Sequence, residues 1–275
     1  MPEDPRMPTD LVRTEDLRLD LDGSVATLTL TRPHRLNAMS PGLIDDLHSC
    51  LDVLAKNREA RVVILTGEGR GFCAGLDLQE HGKWPITEGL DSVEGGLAVQ
   101  QRIASLMPRM REARQPFIAA VNGAATGGGL ALALSCDVRY AAPSARFSVA
   151  FVKLGISGCD VGVSYLLPRL VGAGHAYEMS LTGRLIEADE ALRIGLVNRI
   201  VPAEGLLAAS RALADEICAN SEYAVSTTKQ VLAINIDAPT LRTAIELENR
   251  TQVLGTHTAS ARALMTNWKD VAARR

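Results

Sequence analysis

The chain has 275 residues, of which 47% are apolar and 22% are charged, and its net charge is −3. This composition is typical of a globular protein with a substantial core, and it offers no basic excess for binding nucleic acid. No segment reaches the roughly 18 uninterrupted apolar residues of a membrane-spanning helix. The cysteines form no CxxC pair and the histidines show no metal-site spacing. We therefore expect a soluble, cytoplasmic protein that binds a small molecule and no metal, nucleic acid or membrane.

The first third of the chain alternates between strand and helix patterns. Residues 1–14 are polar and contain proline, so we expect a poorly ordered leader without an export signal. Alternating apolar residues on both sides of the Asp-Gly pair at 22–23 predict a β-hairpin. Ser40 and Pro41 predict the N-cap and the first residue of an amphipathic helix. The apolar run RVVILTG, at 61–67, predicts a parallel strand that is buried on both faces.

Two glycine-bearing turns each follow a strand that is predicted to be buried. GEGRGFCAGLDL occupies 67–78, and NGAATGGGL occupies 122–130 after the strand FIAAV at 117–121. Glycine is costly inside a helix, but it lets a ligand approach the backbone closely. Two turn amides at the ends of neighbouring strands could stabilise one developing negative charge, as in an oxyanion hole. Close packing of helix on strand, without a ligand, is the alternative interpretation.

The remaining elements complete an α/β pattern. A helix follows the second glycine turn to about Ser135, and DVRYAA after it predicts a short strand. The glycine-rich segment 79–100 is interpreted as a loop and as a candidate flap beside a site. Strands that alternate with helices indicate the α/β class. From about residue 202 the pattern is helical throughout, with helices predicted at 203–219, 221–235, 238–254 and 258–272.

Three blocks of sequence resemble one family. TRPHRLNAMS (31–40), CAGLDL (73–78) and AAVNGAATGGGLALALSCDVRYAA (119–142), in this order and spacing, are similar to the crotonase superfamily of enoyl-CoA hydratases and isomerases. The resemblance covers about 15–275. It implies a crotonase-like ββα superhelical spiral core over 15–204. It also implies a C-terminal α-helical trimerisation region over 205–275 that forms a homotrimer or a dimer of trimers.

The same resemblance implies a site for acyl-CoA thioesters, with coenzyme A as part of the substrate and no further cofactor. The backbone amides of Leu76 and Gly128 would hold the oxygen of a thioester enolate. We expect Asp77 to cap the helix that follows it, with a direct catalytic role as the alternative. The residues expected to contact the substrate or its coenzyme A part are Arg35, Leu36, Asn37, Ala38, Ala74, Gly75, Asp77 and Gly127.

The family's hydratases place two glutamates on the water that adds to the double bond, and this chain has Ala131 and Phe151 at those positions. Neither side chain can transfer a proton. In the similar dienoyl-CoA isomerases and chlorobenzoyl-CoA dehalogenases, an aspartate faces the substrate from the turn that contains Asp160 here. Capping of the next helix is the alternative role for Asp160. Lesser catalytic candidates are Glu80, His81 and Cys159.

These residues predict an enzyme that isomerises a double bond in an acyl-CoA, with Asp160 as the proton-transfer group. Two other classes of function remain open. One is hydrolytic or dehalogenating chemistry on an acyl-CoA. The other is a non-catalytic acyl-CoA-binding protein that has lost its acids.

Overall fold

A computed structural model describes residues 8–80 and 84–272. Its strands are β1 (Thr9–Arg13), β2 (Leu17–Asp22), β3 (Val25–Leu30), β4 (Val62–Gly67), β5 (Gly71–Cys73), β6 (Phe117–Val121), β7 (Ala124–Thr126), β8 (Val138–Ala141), β9 (Arg146–Ser148), β10 (Ile186–Glu187) and β11 (Arg199–Ile200). Its helices are α1 (Pro41–Lys56), α2 (Ser92–Ala104), α3 (Leu106–Glu112), α4 (Gly128–Ser135), α5 (Val163–Thr182), α6 (Ala188–Arg193), α7 (Leu206–Cys218), α8 (Glu222–Asn235), α9 (Leu241–Thr256) and α10 (Ala259–Ala272).

The strands form two sheets. The larger sheet has the order β1-β2-β3-β4-β6-β8-β11, and the smaller has the order β10-β9-β7-β5. In the larger sheet β1, β2 and β3 are antiparallel, while every pairing from β3 to β11 is parallel. In the smaller sheet β5, β7 and β9 are parallel. Strands that alternate with helices confirm the predicted α/β class.

The central strands are buried on both faces, as their continuous apolar sequences predict. In β4, Val63 and Leu65 belong to the main core cluster, whereas Val62 and Ile64 face a second cluster. The second cluster is closed by α7 through residues such as Leu206. Alternate side chains of one strand therefore reach opposite layers, because side chains alternate along a strand.

Local signals at the start of the chain correctly predicted two elements. β2 and β3 form the antiparallel hairpin, and Gly23 in its turn has φ +58°, a conformation that glycine adopts readily. Ser40 caps α1 by accepting a hydrogen bond from the N–H of Leu43 at 3.0 Å. Pro41 is the first helical residue, as predicted.

Two segments that were predicted to lack regular secondary structure contain it. The leader was expected to be poorly ordered to residue 14, but Thr9–Arg13 form β1, because their backbone pairs with β2. The segment 79–100 was expected to be a loop, but α2 begins at Ser92. Asp91 caps α2 by accepting the N–H groups of Val93 and Glu94. Residues 1–7 and 81–83 lie outside the described residues.

The C-terminal part of the described chain, after β11, consists of helices, as predicted. α7 packs on the larger sheet. α9 packs against α8 and α10, its neighbours along the chain. No helix in the described ranges has both the length and the apolar content to cross a membrane.

The helix that follows the glycine triplet packs closely on the smaller sheet. Every residue of α4 is buried. A Cβ atom on Gly129 would overlap the backbone carbonyl oxygen of Cys73 in β5. The packing interpretation of the triplet therefore holds for Gly129, where no room exists for a side chain.

Replacing Gly129 with alanine is expected to destabilise the fold by about 3 kcal/mol, because backbone atoms would have to move to admit the methyl group. Urea denaturation would measure the change. Gly174→Ala is the matched control: Gly174 lies in α5, and a Cβ atom there would meet nothing within 4 Å. This control should be neutral or slightly stabilising, since alanine favours a helix. Equal effects from both substitutions would contradict the packing argument.

Candidate active site

The two predicted donor turns lie against each other. A Cβ atom on Gly75 would lie 3.3 Å from the backbone nitrogen of Gly128, and one on Gly128 would lie 3.8 Å from the Cα atom of Gly75. Gly75 has φ +92°, and a side chain there would also come within 2.8 Å of the carbonyl oxygen of Thr126. The close approach thus requires glycine at Gly75 for both its conformation and its lack of a side chain.

The peptide that contains the Leu76 amide is held from one side by Met39. The N–H of Met39 donates to the carbonyl of Gly75 at 2.7 Å, and the N–H of Asp77 donates to the carbonyl of Met39 at 2.9 Å. The N–H of Leu76, between these two bonds, has no acceptor in the described parts of the chain. An unpaired amide on a half-buried residue is a candidate donor to a ligand.

The Gly128 amide lies at the start of a helix. Gly127, with φ +53°, turns the chain into α4, and its N–H donates to the carbonyl of Ser148 at 3.0 Å. The carbonyl of Gly127 accepts the N–H of Ala131 at 3.1 Å, which starts the helical hydrogen-bond pattern. Within the described residues the N–H of Gly128 has no acceptor. It carries the partial positive charge of a helix N-terminus.

Asp77 follows the first donor turn, but no helix begins within the described residues 78–80 after it, so the capping prediction was wrong for these residues. Residues 78–80 form a turn, and the Asp77 carboxylate accepts only the N–H of Gln79 in it, at 3.1 Å. The carboxylate, 1% exposed, instead forms ion pairs with Arg35 at 2.6 Å and with Arg32 at 3.2 Å. The hydrogen bond from Arg35 lowers the pKa of Asp77 to about 2 despite its burial.

Arg32 is a residue of this site that the sequence analysis did not single out. Its guanidinium is 6% exposed and also pairs with Asp16 at 3.1 Å and with Glu80 at 2.9 Å. It donates to the carbonyl of Ala38 at 2.6 Å. A buried charge requires such partners. The sequence contained one signal for this ion-pair network. The block at 31–40 carries two arginines, Arg32 and Arg35, and the later block at 73–78 carries Asp77 in an otherwise apolar stretch.

The residues expected to contact coenzyme A surround one tight turn beside this network. Leu36 and Asn37 both have positive φ, at 51° and 56°. The side chain of Asn37 is fully buried and bonds to the N–H of Arg32 and to the carbonyls of Glu68 and Gly71. It therefore holds the turn, and Asn37 as a whole residue is 0% exposed. The N–H of Ala74 donates to the carbonyl of Leu36 at 3.0 Å, which joins this turn to the first donor turn.

Asp160 lies in the turn before α5 and faces α2. Its Oδ1 atom accepts hydrogen bonds from the side chain of Gln100 and from the N–H of Val161, the latter at 2.7 Å. The N-cap of α5 is Gly162, and no side chain caps that helix, so the capping interpretation was wrong. Val161 has φ +38°, a strained conformation for a β-branched residue. The Oδ2 atom of Asp160 has no hydrogen-bond partner among the described residues.

Ala131 and Phe151, the two residues expected to replace the hydratase glutamates, lie beside the second donor turn. Ala131, in the first turn of α4, is fully buried, and Phe151 is 8% exposed. A Cβ atom on Gly127 would lie 3.5 Å from the Cε1 atom of Phe151. The aromatic ring therefore packs beside the glycine turn, where it presents carbon and no proton-transfer group.

Two of the lesser candidates are exposed or partly exposed, and the third lies outside the described residues. Glu80 is half exposed and paired with Arg32. Cys159 is an exposed free thiol. His81 lies outside the described residues. Across residues 8–80 and 84–272, no group of three or more His, Cys, Asp or Glu side chains is arranged to hold a metal ion.

Comparison with known proteins gives one consistent result. The model of the enoyl-CoA hydratase/isomerase family matches residues 20–271. A probable enoyl-CoA hydratase of Mycobacterium bovis, echA12, is 39% identical over 91% of this chain and 86% of its own length. The 1,2-epoxyphenylacetyl-CoA isomerase of Escherichia coli is 36% identical over 88% of this chain and 90% of its own. The crystal structure of an enoyl-CoA hydratase from Bacillus anthracis superposes with a TM-score of 0.84 at 33% identity, covering 93% of this chain and 96% of that one.

The ion pairs of Asp77 predict a specific acid sensitivity. The pKa of Asp77 in the fold, about 2, lies below its ordinary value of 3.8, so its ionised form stabilises the fold. The contribution, about 2 kcal/mol, is complete above about pH 4 and is lost as the pH falls towards 2. Asp77→Asn should therefore lower the free energy of unfolding by about this amount at pH 6 and by less at pH 3, measured by urea denaturation.

Glu80→Gln is the control, because Glu80 pairs with the same arginine but is half exposed. An ion pair whose carboxylate remains in contact with solvent contributes little, so this substitution should change stability by less than about 1 kcal/mol. If the stability of Asp77→Asn depended on pH as steeply as that of the wild type between pH 6 and 3, the assigned role of Asp77 would be wrong.

Proposed function

Since the chain belongs to the enoyl-CoA hydratase/isomerase family, we propose that it acts on an acyl-CoA thioester and stabilises the enolate with the backbone amides of Leu76 and Gly128. The observation that carries this proposal is the contact between the Gly75–Leu76 turn and the start of α4. Both amides lack an acceptor among the described residues, so a ligand oxygen can take that place. Each donor to a developing oxyanion typically lowers a barrier by about 3 kcal/mol.

We propose double-bond isomerisation as the reaction, with Asp160 as the acid and base. The carboxylate removes a proton from the carbon next to the thioester carbonyl of a 3-enoyl-CoA. The electrons move into the carbonyl, whose oxygen the two amides hold. The acid then returns the proton to the far end of the conjugated system, which leaves a 2-enoyl-CoA and the original carboxylate.

The local contacts of Asp160 support this role. Gln100 and the N–H of Val161 both bond Oδ1, so they orient the carboxyl group and leave Oδ2 for the proton. Addition of water is less well supported, because Ala131 and Phe151 offer no group that could activate it. The relatives include proteins named as hydratases and as an isomerase, so the names alone do not choose between these reactions.

Asp160→Asn is expected to reduce isomerisation at least about a hundredfold, since a positioned acid–base group contributes roughly 10²–10⁴ in rate. The assay would follow 3-enoyl-CoA to 2-enoyl-CoA conversion and exchange of substrate protons with deuterated water. Asp189→Asn, an exposed change in the first turn of α6, is the control and should retain full activity.

Three outcomes would contradict the proposal. Full activity in Asp160→Asn would remove this residue from the mechanism. Release of free coenzyme A or of halide from acyl-CoA substrates would favour hydrolytic or dehalogenating chemistry. Calorimetric binding of acyl-CoA without turnover on any substrate would favour the non-catalytic alternative.

We further propose that the protein assembles as a homotrimer or a dimer of trimers through its C-terminal helices. In α9 no side chain is buried, and in α8 only Lys229 is. Large apolar side chains on these two helices are more than half exposed, namely Leu232, Ile234, Leu241, Val253 and Leu254. Apolar surface of this extent is typical of an interface between subunits.

Sedimentation equilibrium is expected to give a mass of three or six chains. Leu254→Asp should shift the distribution towards smaller species, because it would bury a charge in the proposed interface. Val93→Asp places an aspartate at an exposed position of α2, outside the proposed interface, and should leave the mass unchanged. A monomeric wild-type protein at micromolar concentration would contradict the assembly.

A further inference from the structure

Met39 contacts both of the turns that carry the proposed donor amides. Its backbone brackets the Leu76 peptide through hydrogen bonds of 2.7 Å to the Gly75 carbonyl and 2.9 Å from the Asp77 N–H. Its side chain reaches the second turn, because a Cβ atom on Gly128 would overlap the Cε methyl group of Met39. One residue thus connects two turns that are far apart in the sequence.

The side chain of Met39 fills the space that glycine leaves beside the start of α4. Met39 is 1% exposed, and its Sδ atom would lie 3.8 Å from a Cβ on Gly128. The Cα atom of Gly75 would lie at the same distance from that Cβ. Methionine is unbranched and polarizable, so it fits irregular gaps of this kind. The methyl group is therefore in a position to set how closely α4 approaches the first donor turn.

Met39 is itself anchored on both sides along the chain. Before it, the buried Asn37 side chain bonds to the carbonyls of Glu68 and Gly71. After it, Ser40 caps α1 and also donates to the carboxylate of Asp16 at 2.8 Å. Because both flanks are fixed, the backbone of Met39 cannot shift without breaking buried hydrogen bonds.

We propose that Met39 is a positioning residue that sets the spacing between the Leu76 and Gly128 amides. The backbone of Met39 fixes the first donor and its side chain fixes the second. This inference rests on the proposed function, since spacing matters only if both amides bind one oxygen. An oxyanion hole depends on donors placed at hydrogen-bond distance from one point, and a misplacement of about 1 Å can cost about a hundredfold in rate.

The test measures polarisation of a bound thioester carbonyl directly. The probe is crotonyl-CoA labelled with ¹³C at the thioester carbonyl, observed by infrared difference spectroscopy on the full-length protein. Two hydrogen bonds to the oxygen should lower the stretching frequency on binding to the wild type. Met39→Ala should lose most of this shift while the dissociation constant changes less than about threefold, because coenzyme A contacts elsewhere hold the ligand.

Two further variants separate positioning from general damage to the core. Met110→Ala removes an equally buried methionine, 3% exposed in α3, and should keep the full frequency shift. Met39→Leu conserves most of the volume but ends short of the Cε position, so it should fold and show an intermediate shift. It provides the test if Met39→Ala does not fold.

The outcomes distinguish the two proposals. Absence of a frequency shift in the wild type would contradict the proposed oxyanion site, and the role of Met39 with it. A wild-type shift that Met39→Ala or, if that variant does not fold, Met39→Leu retains in full would overturn the role of Met39 alone. Loss of the shift in Met110→Ala as well would show that core stability, not Met39, controls the donors.

Discussion

The candidate site depends on the close approach of two backbone turns. Gly75 and Gly128 lie so near each other that a side chain on Gly75 would meet the Gly128 nitrogen and the Thr126 carbonyl. The smaller sheet makes this approach possible, because β5 and β7 pair in parallel and deliver both turns to the same edge. Two amides for which the described residues provide no acceptor are then left at one place, which is costly for a buried backbone unless a ligand or solvent bonds them.

The surroundings of the first turn explain how the chain tolerates its unusual conformation. Arg32 and Arg35 hold Asp77 from one side, and Met39 pairs with the backbone on both sides of Leu76. Strained backbone persists only where surrounding contacts determine it. The two left-handed residues, Leu36 and Asn37, are held in the same way by buried hydrogen bonds. The ion pairs of Asp77, the left-handed residues Leu36 and Asn37 and the first donor turn are therefore connected by one network of contacts.

Elements whose structure is determined by nearby residues could be predicted from the sequence. Features that depend on contacts between distant segments could not. The hairpin, the Ser40 cap and the strand at 117–121 follow from short patterns. The smaller sheet was missed, because strands such as Gly71–Cys73 have three residues and are stable only through pairing with distant segments. The Asp77 role was missed for the same reason: its partners precede it by more than forty residues. The resemblance to a family selected Leu76 and Gly128 as the proposed donors, whereas composition alone could not distinguish an oxyanion site from close packing.

The most direct measurement is a crystal structure of the protein with a bound, non-reacting acyl-CoA. The account predicts that the thioester oxygen lies within about 3 Å of the backbone nitrogen atoms of both Leu76 and Gly128. A thioester oxygen bound away from these two atoms, or amide hydrogens that point in divergent directions, would contradict it.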